Sequence, residues 1–393
     1  MHVVGWVVGS VLVAIAIILL SWLLFELQYK GRPGNQMELD TGMWQIVTYD
    51  PAKVYQLKGE FTATNTTEKL DLFITEVKAE ITLLSDDSIA DVAHRVRIRA
   101  KHEDASNRTD NYWESYIVKA GKSTNLEILV DIRGKDLSAL ETLWVKVNYV
   151  IYGPGGRTPK TRHCIVPLQF PESERSERWR PTADADVLPI RTHLLSSLDT
   201  PVEVIRRYVS NHSQPGDIIT IGESPIAIMQ GRFRHPTDVK PGWLAKRLCY
   251  YFLPTSSLAT ACGLQVLVDE SGAWQVFWAF AIGAIAKALF RVPGMFYVLA
   301  GKQARLIDDV TGTLPPYDQF IVMGPSQPQA VVDRILAETG LEAAIVDVND
   351  LKAVSILAAT PGVSIELLNQ ALLLNPAGNA DEQTPIVLIR PNQ

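Results

Sequence analysis

The chain has 393 residues and a mass of 43.5 kDa, enough for two or three domains with separate hydrophobic cores. Its formal net charge of −6 and pI of about 5.7 give no electrostatic reason to expect a nucleic-acid partner. The three cysteines, Cys164, Cys249 and Cys262, are odd in number and far apart, which excludes a disulfide framework and a cysteine metal motif. We expect them to be core thiols.

The amino terminus is predicted to be a membrane anchor over residues 1–30. Residues 3–25 contain no charged side chain, and at roughly 1.5 Å per residue such a helix crosses a hydrocarbon layer of about 30 Å. No basic region precedes the apolar run and no small-x-small cleavage site follows it, which argues against a cleaved signal peptide. Lys30 and Arg32 follow the run, so the positive-inside tendency favours a single-pass protein whose body is cytoplasmic.

Residues 40–170 are predicted to form an antiparallel β-sandwich of immunoglobulin-like type. Apolar and polar residues alternate in short runs that are separated by polar turns. The runs are residues 54–61, 71–75, 95–99, 112–119, 126–130 and 143–152. No combination of histidine, cysteine and carboxylate suggests a site here, so His94, His102 and His163 are interpreted as strand-face residues.

One strand of this domain is strongly basic. Arg95, Arg97, Arg99 and Lys101 share one face of it. Such a stripe contacts lipid phosphates or an acidic partner, or it is a solvated face balanced by neighbouring acids. The segment 171–186 that follows the sandwich is charged, without periodicity and rich in proline, and it is predicted to be an interdomain linker.

Residues 187–393 are predicted to form an α/β or α+β domain, which makes the whole chain an α+β multidomain protein. Helices are predicted at 202–210 and 330–339, and strands at 218–221, 265–268 and 344–347. The apolar run 274–286 is interrupted by Lys287 after about 13 residues, too few to span a bilayer. A buried helix is therefore predicted there, and a re-entrant or interfacial segment is the alternative because Trp274 and Trp278 lie in it.

The stretch from Pro215 to Arg232 organises this last domain. Pro215-Gly216-Asp217 is typical of a turn, the β-branched run 218–221 of a buried strand, and Gly222-Glu223-Ser224 breaks that strand. Open α/β sheets place ligand-contacting groups at such strand ends. The alternative is an ordinary strand end without function.

A family resemblance begins slightly earlier in the chain. Leu188-Pro189-Ile190-Arg191-Thr192, followed by Gly216-Asp217-Ile218-Ile219 and Gln230-Gly231-Arg232, resembles the opening of the γ-glutamyl ligases that add L-glutamate to the coenzyme F-420 precursor. The resemblance covers residues 188–385.

This resemblance implies a GTP-dependent ligase that forms an amide bond through an acyl phosphate and takes a small-molecule substrate. It places nucleotide binding at six residues: Leu188, Pro189, Ile190, Arg191, Glu223 and Ser224. The family carries a lysine and an acid where this chain has Ile228 and Gln230. The alternative is therefore a non-catalytic member that acts as a membrane-tethered ligand-binding or scaffold module. No residue pattern indicates the oligomeric state.

Acidic residues cluster at three further strand or loop ends, around Asp308, Asp347 and Asp381. Carboxylate and amide oxygens in turns suit a hard divalent cation, Mg²⁺ or Mn²⁺, that bridges nucleotide phosphates. The predicted ligands are Asp308, Asp309, Asp347, Asn349 and Asp350. Adjacent acids also occur as turn formers and helix caps, so a purely structural role is the alternative.

Overall fold

The computed structural model describes residues 2–31, 34–85, 87–104, 108, 110–171, 178–309, 314–348, 354–378 and 382–392. The first element is helix α1, His2–Lys30. Its segment Gly9–Tyr29 has a mean hydropathy of 2.5, and none of it is buried against the protein. α1 is therefore long and apolar enough to span a membrane.

The first domain is an antiparallel β-sandwich. Its strands are β1 (Met37–Leu39), β2 (Met43–Asp50), β3 (Val54–Asn65), β4 (Leu72–Ser85), β5 (Ala93–Lys101), β6 (Tyr116–Val118), β7 (Ser123–Arg133), β8 (Leu140–Gly153) and β9 (Gly156–Pro167). One sheet has the order β1-β3-β7-β5, with β2 also paired to β3, and the other has the order β6-β4-β8-β9. The antiparallel β-domain predicted from the period-two runs is confirmed.

Alternation along the strands produces the core between the two sheets. In β3, Tyr55, Leu57 and Phe61 point inward and are at most 3% exposed. The basic face of β5 is balanced by acids, because Arg97 contacts Asp131 at 2.7 Å. Arg99 and Lys101 likewise lie near Glu127 of β7, at 3.5 and 3.7 Å. The interpretation as a solvated, charge-balanced face therefore describes this stripe.

The second domain mixes helices and strands. Its strands are β10 (Arg180–Pro181), β11 (Ala185–Ile190), β12 (Ile218–Gly222), β13 (Phe233–Arg234), β14 (Asp308–Asp309), β15 (Ile321–Val322), β16 (Glu342–Val348), β17 (Val354–Ala359) and β18 (Ile386–Pro391). Its helices are α2 (Pro201–Tyr208), α3 (Glu223–Met229), α4 (Trp243–Leu248), α5 (Ala261–Ser271), α6 (Ala273–Phe290), α7 (Met295–Leu299), α8 (Pro328–Thr339) and α9 (Ile365–Leu372).

A six-stranded sheet in the order β10-β11-β18-β12-β16-β17 forms the centre of this domain. Only the β12–β16 pair is parallel, and the other pairs in it are antiparallel. α2 and α8 pack on one face through Ile205 and Ile335, and α9 packs on the other through Leu368. The segment predicted as a linker already enters the sheet at Arg180 of β10, and residues 172–177 within it lie outside the described residues.

The predicted strand at residues 265–268 is wrong. These residues lie in the middle of α5, whose amino-terminal end is capped by Thr260, with its side chain accepting a hydrogen bond from Gly263 N at 2.9 Å. A run of four apolar residues does not by itself distinguish a buried strand from a buried helix. The cap at Thr260 was the signal that separates them.

Residues 274–286 are helical, as predicted, but the prediction that this helix is buried is wrong. In α6 only Val276, Ala279 and Gly283 are buried, whereas Trp274 is 77% exposed and Trp278 is 56% exposed. α6 packs on α7 where Gly283 allows close approach, because a Cβ there would lie 2.9 Å from the backbone nitrogen of Phe296. The rest of its apolar surface faces outward.

Candidate functional site

A cavity of about 480 Å³ lies at the edge of the central sheet where β11, β12 and β16 end. Ligand sites in sheets of this kind lie beyond the carboxyl ends of the strands. Its wall includes Thr192 and His193 after β11, Gly222 at the end of β12, Ser224 of α3 and Val348 at the end of β16. The loop of residues 375–378 and residues 383–385 complete the wall.

Three carboxylates gather beside this cavity. Glu223 is the first residue of α3 and is 8% exposed, Asp308 of β14 lines the cavity, and Asp347 lies near the end of β16. Burial, and then the charges of Asp347 and Asp308, raise the pKa of Glu223 to about 8. The pKa of Asp308 is raised by desolvation and then by Asp347, and that of Asp347 by desolvation. The Asp308 side chain is open to solvent at the mouth of the cavity, but protein surrounds it on its other sides and disfavours its charge.

The chemistry of this cluster fits a divalent cation. Glu223 Oε2 is buried and has no hydrogen-bond partner among the described residues. Like charges held close together and partly shielded from water favour protonation, unless a cation offsets them. Among the described residues, no three His, Cys, Asp or Glu side chains are placed so that they could hold a metal ion by themselves. Mg²⁺ takes few protein carboxylates and completes its shell with water and phosphate, so a site here would need ligands beyond these three side chains.

His193 lines the cavity with a ring that is already engaged on both sides. Its Nδ1 lies 2.7 Å from the hydroxyl of Tyr208, and its Nε2 lies 2.9 Å from Asp199 Oδ1. Asp199 in turn accepts a hydrogen bond from Ser196 N at 2.8 Å. A carboxylate accepts only, so Nε2 carries the proton and Nδ1 accepts from Tyr208. His193 therefore holds the wall in place.

The structure places some of the predicted nucleotide-binding residues at the cavity and the others away from it. Ser224 lines the cavity and Glu223 belongs to the acid cluster. Leu188 and Ile190, each 6% exposed, pack in the hydrophobic core beneath α2, so their side chains support the sheet instead of reaching a ligand. Pro189 lies in β11 between them. Arg191 is exposed just beyond the strand and is not among the residues that line the cavity.

The predicted metal ligands are likewise placed in part. Asp308 and Asp347 come together although they are far apart in sequence. Asp309 follows in β14, with its side chain outside the described residues, and Asn349 and Asp350 lie outside them entirely. Cavity residues that the sequence analysis missed are Thr192, Thr220, Asn375, Gln383 and Thr384. The Asn-Pro-Ala-Gly turn at 375–378 was the available signal, since loops of this composition close over strand ends.

The sandwich supports the cavity wall directly. Ile165 of β9 belongs to one buried cluster with Ala227 and Ile228 of α3 and with Tyr317 and Phe320. Ile228 and Tyr317 also line the cavity. Beside this cluster the sandwich residue His163 contacts Asp238 of the second domain, with 3.1 Å between Nε2 and Oδ2. Ile228 is thus a hydrophobic contact between domains.

A second cavity, of about 630 Å³, lies between the two domains. Trp44 and Phe170 line it from one side and Arg206 and Arg207 from the other. Its described wall contains Asp199 and Glu203 but none of the three clustered acids.

The architecture defines a class of protein: an antiparallel sandwich packed on a mixed domain with an acid-edged cavity. Residues 38–170 match the family model described as the N-terminal Ig-like domain of F420-0:gamma-glutamyl ligase. The match supports the predicted relationship to these ligases for the sandwich. It ends at residue 170, so the relationship of residues 187–393 stays a prediction.

Other comparisons show little. No curated protein matches the chain. Among solved structures, the GAE domain of GGA2p from Saccharomyces cerevisiae is similar at 12% identity and a TM-score of 0.21, covering 35% of this chain and 96% of that one. The N-terminal domain of PorA is similar at 11% identity and a TM-score of 0.22, covering 34% and 96%. Likeness at this level carries no functional argument.

Proposed function

We propose that the protein is a membrane-anchored, divalent-cation-dependent ligase of the γ-glutamyl type, which joins L-glutamate to a carboxylic acid through an acyl phosphate. The observation that carries the proposal is the cluster of Glu223, Asp308 and Asp347, with Glu223 Oε2 buried and without a hydrogen-bond partner among the described residues. The match of residues 38–170 to the N-terminal domain of such a ligase supports the reaction class. The anchor is α1, and the body lies in the cytoplasm.

The residues of the cavity have separate tasks in this proposal. Glu223, Asp308 and Asp347 hold Mg²⁺ or Mn²⁺, and Asp309, Asn349 and Asp350 are further predicted ligands. When bound, the cation neutralises charge on the phosphates of GTP. Ser224 offers a hydroxyl to a polar ligand group. Ile228 and Tyr317, both buried, keep that part of the wall dry.

One observation favours a second candidate function. The described residues that line the cavity include no lysine or arginine, and Ile228 fills a position where the related ligases carry a lysine. Phosphoryl transfer is usually assisted by a lysine or arginine side chain close to the reacting phosphate. A non-catalytic member that binds a metal and a small ligand while tethered to a membrane is therefore the alternative.

Calorimetry and turnover on the full chain in detergent distinguish these functions. GTP is titrated with Mg²⁺ or Mn²⁺ present and then without either, and phosphate release is followed after L-glutamate and the deazaflavin precursor are added. Metal-dependent GTP binding with turnover is expected for a ligase, and binding without turnover leaves the non-catalytic alternative. If neither the metal nor GTP binds at millimolar concentration, the ligase is excluded and only a non-catalytic ligand-binding or scaffold module is left.

A pair of variants tests the assignment of the site. Glu223→Gln keeps the shape of the side chain and removes its charge, and it is expected to weaken metal binding at least tenfold. Glu366→Gln makes the same change on the exposed surface of α9 and is expected to leave binding unchanged. Equal affinities in the two variants would remove Glu223 from the site.

A further inference from the structure

Helix α6 carries an apolar surface that the protein leaves uncovered. Trp274, Trp278, Ile282, Ile285 and Leu289 are spaced by four, four, three and four residues, which places them on one face of the helix. They are 77, 56, 47, 53 and 73% exposed, whereas the buried residues Val276, Ala279 and Gly283 lie on the opposite face. We call these five residues the α6 stripe.

Two further features near α6 expose apolar surface. The segment 250–253 packs beside α6, since the rings of Tyr251 and Phe280 lie 5.4 Å apart, and it exposes 84% of Tyr250 and 74% of Leu253. At the other end the last turn of α6 projects from the body, and residues 287–290 are all exposed. Isolated surface apolar residues are normal, but a continuous group of this size marks an interaction surface.

The composition of this surface fits a bilayer interface. Tryptophan and tyrosine are enriched where membranes meet water, because each ring has an apolar body and one polar group. Basic residues flank the surface: Lys246 and Arg247 in α4, and Lys287 and Arg291 at the projecting end of α6. Each is exposed, and among the described residues none of the four is paired with a carboxylate within 4.0 Å. Lysine and arginine at this position attract anionic headgroups.

α6 is suited to lie in the interface and not to cross it. Its 18 residues have a mean hydropathy of 1.5, against 2.5 for the segment Gly9–Tyr29 of α1. The side chains of Val276 and Ala279 are fixed in the domain core, and Gly283 is held against α7. A helix attached to its domain along one face can bury only the other face in lipid.

We propose that the α6 stripe, with Tyr250, Leu253 and the projecting end of α6, is a second membrane contact that docks the cavity-bearing domain onto an anionic bilayer. The occupant is lipid because the same chain carries a helix able to span a bilayer, and because the surface combines exposed tryptophans with unpaired basic flanks. Docking does not depend on any activity of the cavity.

Site-specific fluorescence on the full chain tests the proposal. An environment-sensitive fluorophore is attached at Ile285→Cys, in the middle of the stripe, in a Cys262→Ser background that removes the half-buried native thiol. Leu374→Cys, after α9, is the matched control, since Leu374 is an apolar residue with 75% exposure outside the surface. Both proteins are reconstituted through α1 into vesicles of phosphatidylcholine with phosphatidylglycerol that contain nitroxide-labelled lipid.

The expected result is lipid quenching at least threefold stronger at position 285 than at position 374, together with protection from aqueous iodide. Quenching should fall when phosphatidylglycerol is omitted, because the basic flanks then lose their counter-charges. Equal lipid quenching at the two positions, with iodide reaching both, would overturn the proposal. Protection from both quenchers with energy transfer between differently labelled copies would instead assign the surface to a second copy of the chain, and would equally overturn it.

Discussion

At the scale of single residues, the acid cluster makes a definite prediction about stability. Asp347→Asn removes a charge that raises the pKa of both Glu223 and Asp308. In metal-free protein we expect the melting temperature to stay the same or to rise by about 2 to 4 °C, because like-charge repulsion is relieved. The rise in melting temperature caused by Mg²⁺ in the parent protein should be lost in the variant.

Thermal unfolding followed by calorimetry checks this expectation. Asp333→Asn, on the exposed side of α8, is the control and should keep the full metal-induced shift. A clear fall in melting temperature for metal-free Asp347→Asn would mean that Asp347 stabilises the fold through contacts of its own and is not under net like-charge repulsion.

His102 provides a pH-dependent test in the sandwich. It is 8% exposed, its ring stacks on Tyr116 with 3.8 Å between centroids, and its Nδ1 lies 2.7 Å from Thr124 Oγ1. Burial lowers its pKa, and the nearby charges of Asp104 and Glu114 oppose part of that effect. The unfolded chain therefore binds the proton first, at a pKa of about 6.5.

The contribution of neutral His102 to the free energy of unfolding should therefore be fully present above the unfolded pKa. It should be lost as the pH falls through the lower pKa of the folded state. Urea unfolding should show that the free energy of unfolding falls less between pH 7.5 and pH 5.5 for His102→Gln than for the parent protein. His94→Gln, at an exposed position of β5, should behave like the parent. An unchanged loss in His102→Gln would show that His102 does not contribute to the pH dependence.

Single residues also show where sequence reasoning succeeds and fails. Asp308 and Asp347 could be identified because acids at strand ends are visible in the chain. The position of Ile190 in the core could not be, because an apolar residue near a motif gives no sign of whether it faces a ligand or a helix. Thr192 and Thr220 carry no distinctive pattern, and only the meeting of three strand ends brings them to one cavity.

At the scale of elements, period-two strands were predictable and short apolar runs were not. β3 alternates over 12 residues, which only a strand explains. The run 265–268 has no period of its own, and its helical state depends on the Thr260 cap and on packing against α4 and α6. Burial was the first prediction for α6, because a helix that is apolar on every side is usually buried in the protein or in a membrane. Only the two tryptophans indicated the exposed alternative.

The close contact of α6 with α7 predicts how far one methyl group, added at position 283, destabilises the domain. Gly283→Ala should gain about 1 kcal/mol from helix propensity. It nevertheless should destabilise the domain by about 1 to 3 kcal/mol, because the new Cβ would lie 2.9 Å from Phe296 N, a backbone atom that moves only with α7. Ala284→Ser, at the next and exposed position, should change stability by less than about 0.5 kcal/mol. Chemical denaturation measures both, and a stabilised Gly283→Ala would show that α6 and α7 separate freely.

At the scale of the whole molecule, the sandwich and the cavity-bearing domain form one mechanical unit. The buried cluster around Ile165 joins β9 to α3 and to the segment at Tyr317, and two of its members are also cavity wall. The sandwich therefore does more than separate the second domain from the membrane. Changes in its β9 strand should reach the cavity, whereas changes in its own central core should not.

Ile165→Ala tests the coupling between β9 and the cavity wall, and Val147→Ala is the matched control. Both residues are at most 1% exposed, but Ile165 faces the interdomain cluster and Val147 faces the core between the sandwich sheets. Each truncation should cost about 1 to 4 kcal/mol of stability.

Hydrogen exchange on the full chain should then distinguish the two variants. Ile165→Ala is expected to speed exchange in residues 223–229 and 317–322, because the cavity wall loses its support, and Val147→Ala is expected to speed it only within β4, β8 and β9. The same exchange pattern in both variants would mean that the two domains do not share this part of their structure in solution.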